Sequence, residues 1–281
     1  MIHFPSRHVE ISRLTLPIRD LPQRLAGLKI VQLSDFHFGA RTLSDVVLQE
    51  AIAIAQQLQP DLVCYTGDFI NGNPDSIDAL SQMLQTLQGR LGNLAILGNH
   101  DILTATSAEK VTQSLESQGI QVLNDAVAYP CGLGLAFVGF VCPPYYSPGR
   151  FVPEPVMTQI PQHIPRIVLI HGPGYEKYLR PWRVDLQLSG HTHGGQLALP
   201  GLGDLIPRFW QGMDLFPKAI RQWIVARLPH RIAASEEYDL LRGLYSVQNG
   251  PLYVNRGLGA HFPGRLFCPP EVTEMTLVPA H

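Results

Sequence analysis

The sequence contains few features of an exported, membrane-spanning or disulfide-stabilised protein. It has four cysteines in 281 residues, and none forms a C-x-x-C pair, so we expect reduced, buried thiols. No stretch approaches the roughly 20 consecutive apolar residues of a membrane span, and the first residues include no apolar segment of signal-peptide length. We therefore expect a cytoplasmic protein.

Strong charge of either sign is also lacking. The formal net charge is -2, so the chain has no overall basic field of the kind that attracts nucleic acids, and we expect no nucleic-acid polymer as a partner. We find no internal repeat and no low-complexity tract. Apolar residues make up 45% of the chain, which is enough for a sizeable core. We expect one domain over residues 1–281.

Apolar runs and helical patterns alternate along the first half of the chain. Strands are predicted at 28–33, 61–66 and 94–97, and helices at 43–58, 75–90 and 107–118. The second half is richer in strands, which are predicted at 135–140, 166–170, 184–188, 252–255 and 272–278. This pattern indicates a layered α/β fold, in which the carboxyl ends of the strands line one rim where ligands bind.

Metal-binding residue types follow five of these strands. They are Asp35 and His37, then Asp68, then Asn99 with His100 and Asp101, then His171, and finally His191 and His193. Most of these blocks, taken singly, would be ordinary strand-exit turns or hydrogen-bonded histidines. Seven of these residues offer a nitrogen or oxygen ligand: Asp35, His37, Asp68, Asn99, His171, His191 and His193. Seven ligands are too many for one tetrahedral zinc but suit two metals that share a bridge.

The chemistry of the side chains favours particular roles. Imidazole, carboxylate and amide ligands favour manganese, iron or zinc over calcium, and Mn²⁺ is our first choice. Asp68 could bridge two metals with one carboxylate. His100 could protonate a leaving-group oxygen, with Asp101 orienting its ring. Arg256, just after a predicted strand, either contacts a substrate phosphate or forms a structural salt bridge.

The order D-x-H, G-D-x-x-N, G-N-H-D, H, G-H-T-H resembles the calcineurin-like metallophosphoesterase superfamily over most of the chain. The segments SDFHFG, SGHTHGGQ, NRGLG and PPEVTEMTL resemble a narrower bacterial branch, the YkuE/YaeI-type phosphohydrolases. The resemblance implies a four-layer α-β-β-α fold. In it, two mixed β-sheets pack as a sandwich between helices, and a dinuclear metal site lies at the carboxyl rim of the strands.

The resemblance also implies residue roles. One metal would be held by Asp35, His37 and His193, the other by Asn99, His171 and His191, with Asp68 bridging and His100 as the general acid. The implied reaction is hydrolysis of a phosphoester or pyrophosphate bond by a metal-bridging hydroxide. A non-catalytic metal-binding scaffold is the alternative, but such proteins lose the histidine that corresponds to His100 or several ligands, and this chain keeps all of them.

Substrate choice depends on other residues. An inserted amphipathic segment is predicted at about 205–235, and within Phe209–Arg231 one helical face is apolar, made of Ile220, Trp223, Ile224 and Leu228. Such a helix either lies on a membrane surface or packs on its own domain. The first alternative suggests peripheral contact at the inner membrane and a lipid-linked substrate resembling UDP-diacylglucosamine. A nucleotide-directed or general phosphodiesterase is the other enzymatic alternative.

Overall fold

The fold is taken from a computed structural model, which describes residues 8–39, 43–141, 151–199, 203–204, 240–261 and 264–280. The predicted segment Phe209–Arg231 and Cys142 lie outside the described residues. No helix in the described part of the chain has the length and apolar character needed to cross a membrane.

Within those residues the chain forms fourteen strands and five α-helices. The strands are β1 (Glu10–Ile18), β2 (Leu28–Leu33), β3 (Leu62–Tyr65), β4 (Asn93–Ala95), β5 (Ile120–Val122), β6 (Ala126–Ala128), β7 (Ala136–Phe140), β8 (Arg166–Ile170), β9 (Leu186–Ser189), β10 (Ala198–Leu199), β11 (Gly203–Asp204), β12 (Gly243–Val247), β13 (Gly250–Val254) and β14 (Glu271–Pro279). The helices are α1 (Asp45–Gln57), α2 (Ile77–Leu84), α3 (Ala105–Ser117), α4 (Glu154–Met157) and α5 (Glu176–Leu179).

Two mixed six-stranded sheets form the centre of the described fold. The first has the order β1-β14-β2-β3-β4-β5, and the second has the order β12-β13-β9-β8-β7-β6. Strands β2 to β5 run parallel to one another, as do β7, β8, β9 and β13. Strand β14 is antiparallel to β2, and β12 and β6 are antiparallel to their neighbours. The strands β10 and β11 pair separately.

The alternation of side chains along each strand divides the core into layers. Ile30 and Cys64 face the second sheet, where they pack in one cluster with Ile167 and Leu188. On the other face of the first sheet, residues such as Val31 pack against helices α1, α2 and α3. A third cluster packs β7 and β8 against α4 and α5. The predicted α-β-β-α sandwich is therefore confirmed.

Helix α2 is shorter than the predicted helix at 75–90. It ends at Leu84, and the side chain of Asn93 organises the turn that follows. Its Nδ2 donates to the carbonyl of Leu87 at 2.8 Å, and its Oδ1 accepts from the amide of Gly89 at 2.9 Å. These bonds satisfy the backbone of the turn outside a helix, so the helical pattern does not continue to residue 90.

The parallel strands bring the polar blocks to one rim. Strands β2, β3 and β4 are neighbours in the first sheet, and β8, β9 and β13 are neighbours in the second. Their carboxyl ends therefore lie along the same edge of each sheet. The buried side chain of Gln32 joins the two edges, because its Nε2 donates both to Thr66 Oγ1 and to the carbonyl of Ser189 at 3.0 Å.

Candidate metal centre and active site

Three predicted ligands converge at the end of β2 and on the loop after β9. The Nε2 atoms of His37 and His193 lie 3.1 Å apart, and Asp35 Oδ1 lies 4.0 and 3.7 Å from them. The other ring nitrogens contact oxygens, since His37 Nδ1 is 3.3 Å from Asn71 Oδ1 and His193 Nδ1 is 3.3 Å from the carbonyl of Gly259. Such outer contacts orient imidazole ligands in metal sites.

A second group forms between β3 and β8. The side chains of Asp68, His171 and His191 offer ligand atoms within 4.8 Å of one another. His171 Nδ1 donates to the carbonyl of Thr66 at 2.6 Å, which leaves Nε2 directed at Asp68 Oδ2, 3.1 Å away. This second group therefore presents an imidazole and a carboxylate to one point.

The Asp68 carboxylate lies between the two groups. Its Oδ2 is 3.4 Å from His37 Nε2 and 3.1 Å from His171 Nε2. Its Oδ1 accepts the backbone amide of His100 at 2.8 Å, so this bond fixes the carboxylate plane. One carboxylate oxygen thus faces ligands of both groups, as a bridge between two cations requires.

The side-chain amide of Asn99 indicates that the two groups of ligands suit cations. Its Oδ1 is shielded from solvent and has no hydrogen-bond partner among the described residues. A buried acceptor left without a partner costs about 1–3 kcal/mol. A cation held by Asn99 together with the Asp68 group would remove that cost. The set of imidazole, carboxylate and amide donors suits a pair of borderline divalent metals.

The electrostatics of the cluster are also typical of a metal site. Burial opposes a charge on His171, but the Asp68 and Asp35 carboxylates outweigh it and raise the pKa of His171 to about 10. Burial would raise the pKa of Asp68, but the fields of His171 and His37 hold it well below its usual range. Burial also lowers the pKa of His37 and of His193, which keeps both rings neutral. A cation entering between Asp68 and His171 would displace a proton.

Five of the seven predicted ligands have backbone φ angles in the left-handed region: Asp35 (51°), His37 (45°), Asp68 (55°), His191 (74°) and His193 (52°). A residue other than glycine is disfavoured there by about 1–3 kcal/mol, and such strain clusters at functional sites. All five residues lie within four positions of the end of a strand, where the chain enters the loops of the site.

Two glycines allow the loops to approach one another. A Cβ atom on Gly98 would lie 2.2 Å from Asp68 Oδ1, and one on Gly190 would lie 2.3 Å from Asp35 Oδ2. Because Gly190 has no side chain, the backbone amide of His191 reaches the Asp35 carboxylate at 3.0 Å. Close packing around the two carboxylates therefore requires glycine at positions 98 and 190.

His100 and Asp101 lie beside the two groups. The buried His100 ring stands nearly perpendicular to that of His37, with centroids 4.6 Å apart. The Asp101 carboxylate accepts backbone amides from Gly98 at 2.9 Å and Ile70 at 3.1 Å, which ties two loops together. Burial, and then the charge of Asp68, raise the pKa of Asp101 to about 7. That Asp101 orients the His100 ring stays a prediction.

Arg256 forms ion pairs at the edge of the site. Its Nε lies 2.8 Å from Glu271 Oε2, and its Nη1 lies 3.0 Å from Glu10 Oε2. Of the two roles expected for Arg256, a phosphate contact or a structural salt bridge, these contacts correspond to the salt bridge.

His261 belongs to none of the five sequence blocks, but it lies within the site. Its ring centroid lies 4.7 Å from those of both His37 and His193, and 5.3 Å from that of His100. It is part of the loop that follows β13, the third strand of the second sheet whose carboxyl end reaches this rim. That position was a usable signal, because the other histidines of the rim also follow parallel strands.

Comparisons with known proteins agree with this geometry. Residues 28–195 match the family described as calcineurin-like phosphoesterase. The metallophosphoesterase YkuE of Bacillus subtilis is 30% identical, over 96% of this chain and 85% of its own length. The phosphodiesterase YaeI of Escherichia coli is 30% identical over 90% and 83%. The UDP-2,3-diacylglucosamine pyrophosphatase LpxG of Chlamydia muridarum is 28% identical over 96% and 91%.

The chain therefore belongs to the calcineurin-like phosphoesterase family, whose members depend on a dinuclear metal centre. It is a hydrolase that acts on phosphoester bonds. The predicted family and reaction class are confirmed.

Proposed function

We propose that this hydrolase holds two divalent cations with the seven predicted side chains. One cation is held by Asp35, His37 and His193, the other by Asn99, His171 and His191, and Asp68 bridges them. The observation that carries this proposal is the place of Asp68 Oδ2, between the Nε2 atoms of His37 and His171 at 3.4 and 3.1 Å.

Replacement of the bridge tests the proposal. Asp68→Ala should remove metal and activity together, because both cations lose a shared ligand and His100 loses the acceptor of its backbone amide. Metal content by mass spectrometry and hydrolysis of bis-p-nitrophenyl phosphate give the two readouts. Asp75→Ala removes an exposed carboxylate and serves as the control. An Asp68 variant that kept two metals and full activity would show that Asp68 is not a bridge.

The protein contributes orientation and a proton to the reaction. Two bound divalent cations supply charge for the phosphoryl oxygens and acidify a water molecule. His100 is placed by the bond from its backbone amide to Asp68, and we assign it protonation of the leaving-group oxygen. Asp101 holds the loops that carry His100 and Asp68 in a fixed relation through its bonds to Gly98 and Ile70.

Manganese is the metal we propose for assays, with iron or zinc as alternatives, because the donors are nitrogen and oxygen without thiolate. Titration of the apo chain with Mn²⁺, Fe²⁺, Zn²⁺ and Ca²⁺ would rank them. Tighter binding of Ca²⁺ than of Mn²⁺ would contradict the choice, since imidazole ligands disfavour calcium.

For the substrate we propose a lipid-linked pyrophosphate resembling UDP-diacylglucosamine. The support is a relative named as a pyrophosphatase of that compound, which aligns over nearly the whole of both chains. A second candidate, a phosphodiesterase of other substrates, is supported by the YaeI relative at 30% identity. Rates on UDP-diacylglucosamine, cyclic nucleotides, bis-p-nitrophenyl phosphate and p-nitrophenyl phosphate separate the two. Faster hydrolysis of a cyclic nucleotide than of UDP-diacylglucosamine would contradict the proposal of a lipid-linked substrate.

A further inference from the structure

We infer that His261 binds the phosphoryl group of the substrate, as a partner of His100 on the solvent side of the metal centre. This inference rests on the proposed function, because it needs a phosphoester held at the Asp35, His37 and His193 group. None of the five sequence blocks includes His261.

The first support is the position of the ring. The side-chain nitrogens of His37, His100 and His261 that face one another lie within 4.8 Å. A hydrogen bond spans about 3 Å between heavy atoms, so two donors at this separation can reach one phosphoryl group. His100 and His261 are therefore close enough to donate to the same phosphate.

The second support is exposure. His37 and His100 are buried, whereas His261 is half-buried. Its ring centroid lies 4.7 Å from those of both His37 and His193, so a half-buried ring adjoins two buried ones. A phosphoester that reaches the buried ligands from solvent can therefore also reach His261.

The third support is the number of ligands already present. The group around His37 Nε2 and His193 Nε2 also has the Asp35 carboxylate and the shared Asp68 oxygen. A divalent metal with four protein donors can take a further ligand, and that position is available to a substrate oxygen. An additional imidazole ligand would occupy the same position, so His261 is better used as an N–H donor to the substrate oxygen.

The fourth support is rigid attachment. The backbone amide of His261 donates to Gln196 Oε1 at 2.5 Å, and Gln196 follows the G-H-T-H-G-G block directly. The backbone carbonyl of Gln196 accepts from Leu266 at 2.8 Å, and the Arg265 guanidinium donates to the carbonyl of His193 at 3.0 Å. The His261 loop is therefore fixed to the loop that carries His193.

The test compares His261→Ala and His261→Gln with His163→Ala, which removes an exposed histidine between α4 and β8. Each full-length variant is loaded with Mn²⁺, its metal content is measured by mass spectrometry, and its affinity for inorganic phosphate is measured by calorimetry. We expect His261→Ala to keep two metals and to bind phosphate about tenfold more weakly, as expected for one lost bond to a charged group. His261→Gln should lose less, because its amide still donates.

Three outcomes would overturn the inference. Phosphate affinity of His261→Ala within twofold of that of His163→Ala would mean that the ring makes no contact. Loss of one metal in both His261 variants, with metal-free forms that melt at the same temperature as the metal-free wild type, would make His261 a ligand. If the wild-type chain binds no divalent metal, the proposed function fails and this inference fails with it, whereas in the first two outcomes the proposed function stands.

Discussion

His171 Nδ1 donates to the carbonyl oxygen of Thr66 at 2.6 Å, a bond that joins the rim of one sheet to the rim of the other. The same ring directs Nε2 at Asp68, 3.1 Å away, and Asp68 follows β3 of the first sheet. The ligands of each proposed cation therefore come from both sheets. Bound metals would act as cross-links between the two layers of the sandwich.

Removal of metal should consequently lower thermal stability. Ligands at 100–1,000 times their dissociation constant stabilise a folded protein by about 3–4 kcal/mol. For a chain of this size each kcal/mol corresponds to about 2–4 °C, so we expect chelation to lower the melting temperature by roughly 10 °C. Scanning calorimetry before and after chelation measures the change, and added Mn²⁺ should restore it. An unchanged melting temperature in a demonstrably metal-free chain would contradict the cross-link.

His100→Ala should lower turnover by about 10²–10⁴-fold and leave two metals bound, because a positioned acid contributes about that factor. The loss should be smaller for a p-nitrophenyl ester, whose leaving group needs little protonation, than for an alkyl ester. Steady-state kinetics on both esters, with His163→Ala as the control, measure this difference. Equal losses on both esters would argue against proton donation, and loss of metal would instead make His100 a ligand.

The meeting of the ligands at one rim of the sheets could be predicted from the sequence, because these residues follow strands that are apolar and easily recognised. The strand RIVLI was predicted with the bounds that β8 has, and His171 follows it directly. Once these strands run parallel in adjacent positions, their carboxyl ends must meet at one edge. The order of the blocks was therefore enough to place the predicted ligands together.

Features held by contacts between distant segments could not be predicted. Strand β1 was missed because it is an edge strand with Leu16 and Ile18 as its only fully buried side chains, and its partner β14 begins about 260 residues later. His261 was missed for a similar reason. Its position after β13 was a usable signal, but the bond to Gln196 that holds His261 at the site joins distant parts of the chain and has no local pattern.

The predicted segment Phe209–Arg231 gives a prediction that the sequence alone supports. If it lies on membranes, the wild-type chain should float with anionic vesicles, and the double variant Trp210→Ala/Trp223→Ala should float much less, because its apolar face is reduced. Trp182→Ala removes a half-buried tryptophan that packs against the cluster around α4 and α5, and it is the control. Absence of flotation for the wild type would favour a helix packed on its own domain.

Glu271 should make stability depend on acid pH. Burial opposes its charge, but Arg256 and the hydroxyl of Tyr253 outweigh burial and hold the pKa of Glu271 below its usual value. A lowered folded-state pKa stabilises the protein above the unfolded value near 4.5, and this stabilisation is lost as pH falls through the folded-state pKa.

Glu271→Gln should therefore be less stable at pH 7, by about 2 kcal/mol for the lost bonds to a charged group. Its stability should also fall less steeply than that of the wild type below pH 4.5. Urea unfolding between pH 3 and pH 7 measures both effects. Parallel pH profiles for the two proteins would show that Glu271 does not contribute to the acid dependence.

Arg265 should affect metal affinity because it supports the loop that carries His193. Its buried guanidinium donates to the carbonyls of His193, Gly257 and Gly259 at 3.0, 3.1 and 3.1 Å. Lysine has one charged nitrogen and cannot reach all of them, so Arg265→Lys should leave buried carbonyls without donors and cost roughly 3 kcal/mol of stability. Because the loop with His193 loses its support, metal affinity should fall about 10–100-fold.

A second buried arginine separates this effect from general destabilisation. Arg166 donates to the carbonyls of Met157, Ile160 and Pro161, and it lies at the opposite end of β8 from His171. Arg166→Lys should lose comparable stability in urea unfolding but bind Mn²⁺ as tightly as the wild type. Equal loss of metal affinity in both variants would mean that metal binding follows overall stability. Loss in Arg265→Lys alone would place the cause in the loop that carries His193.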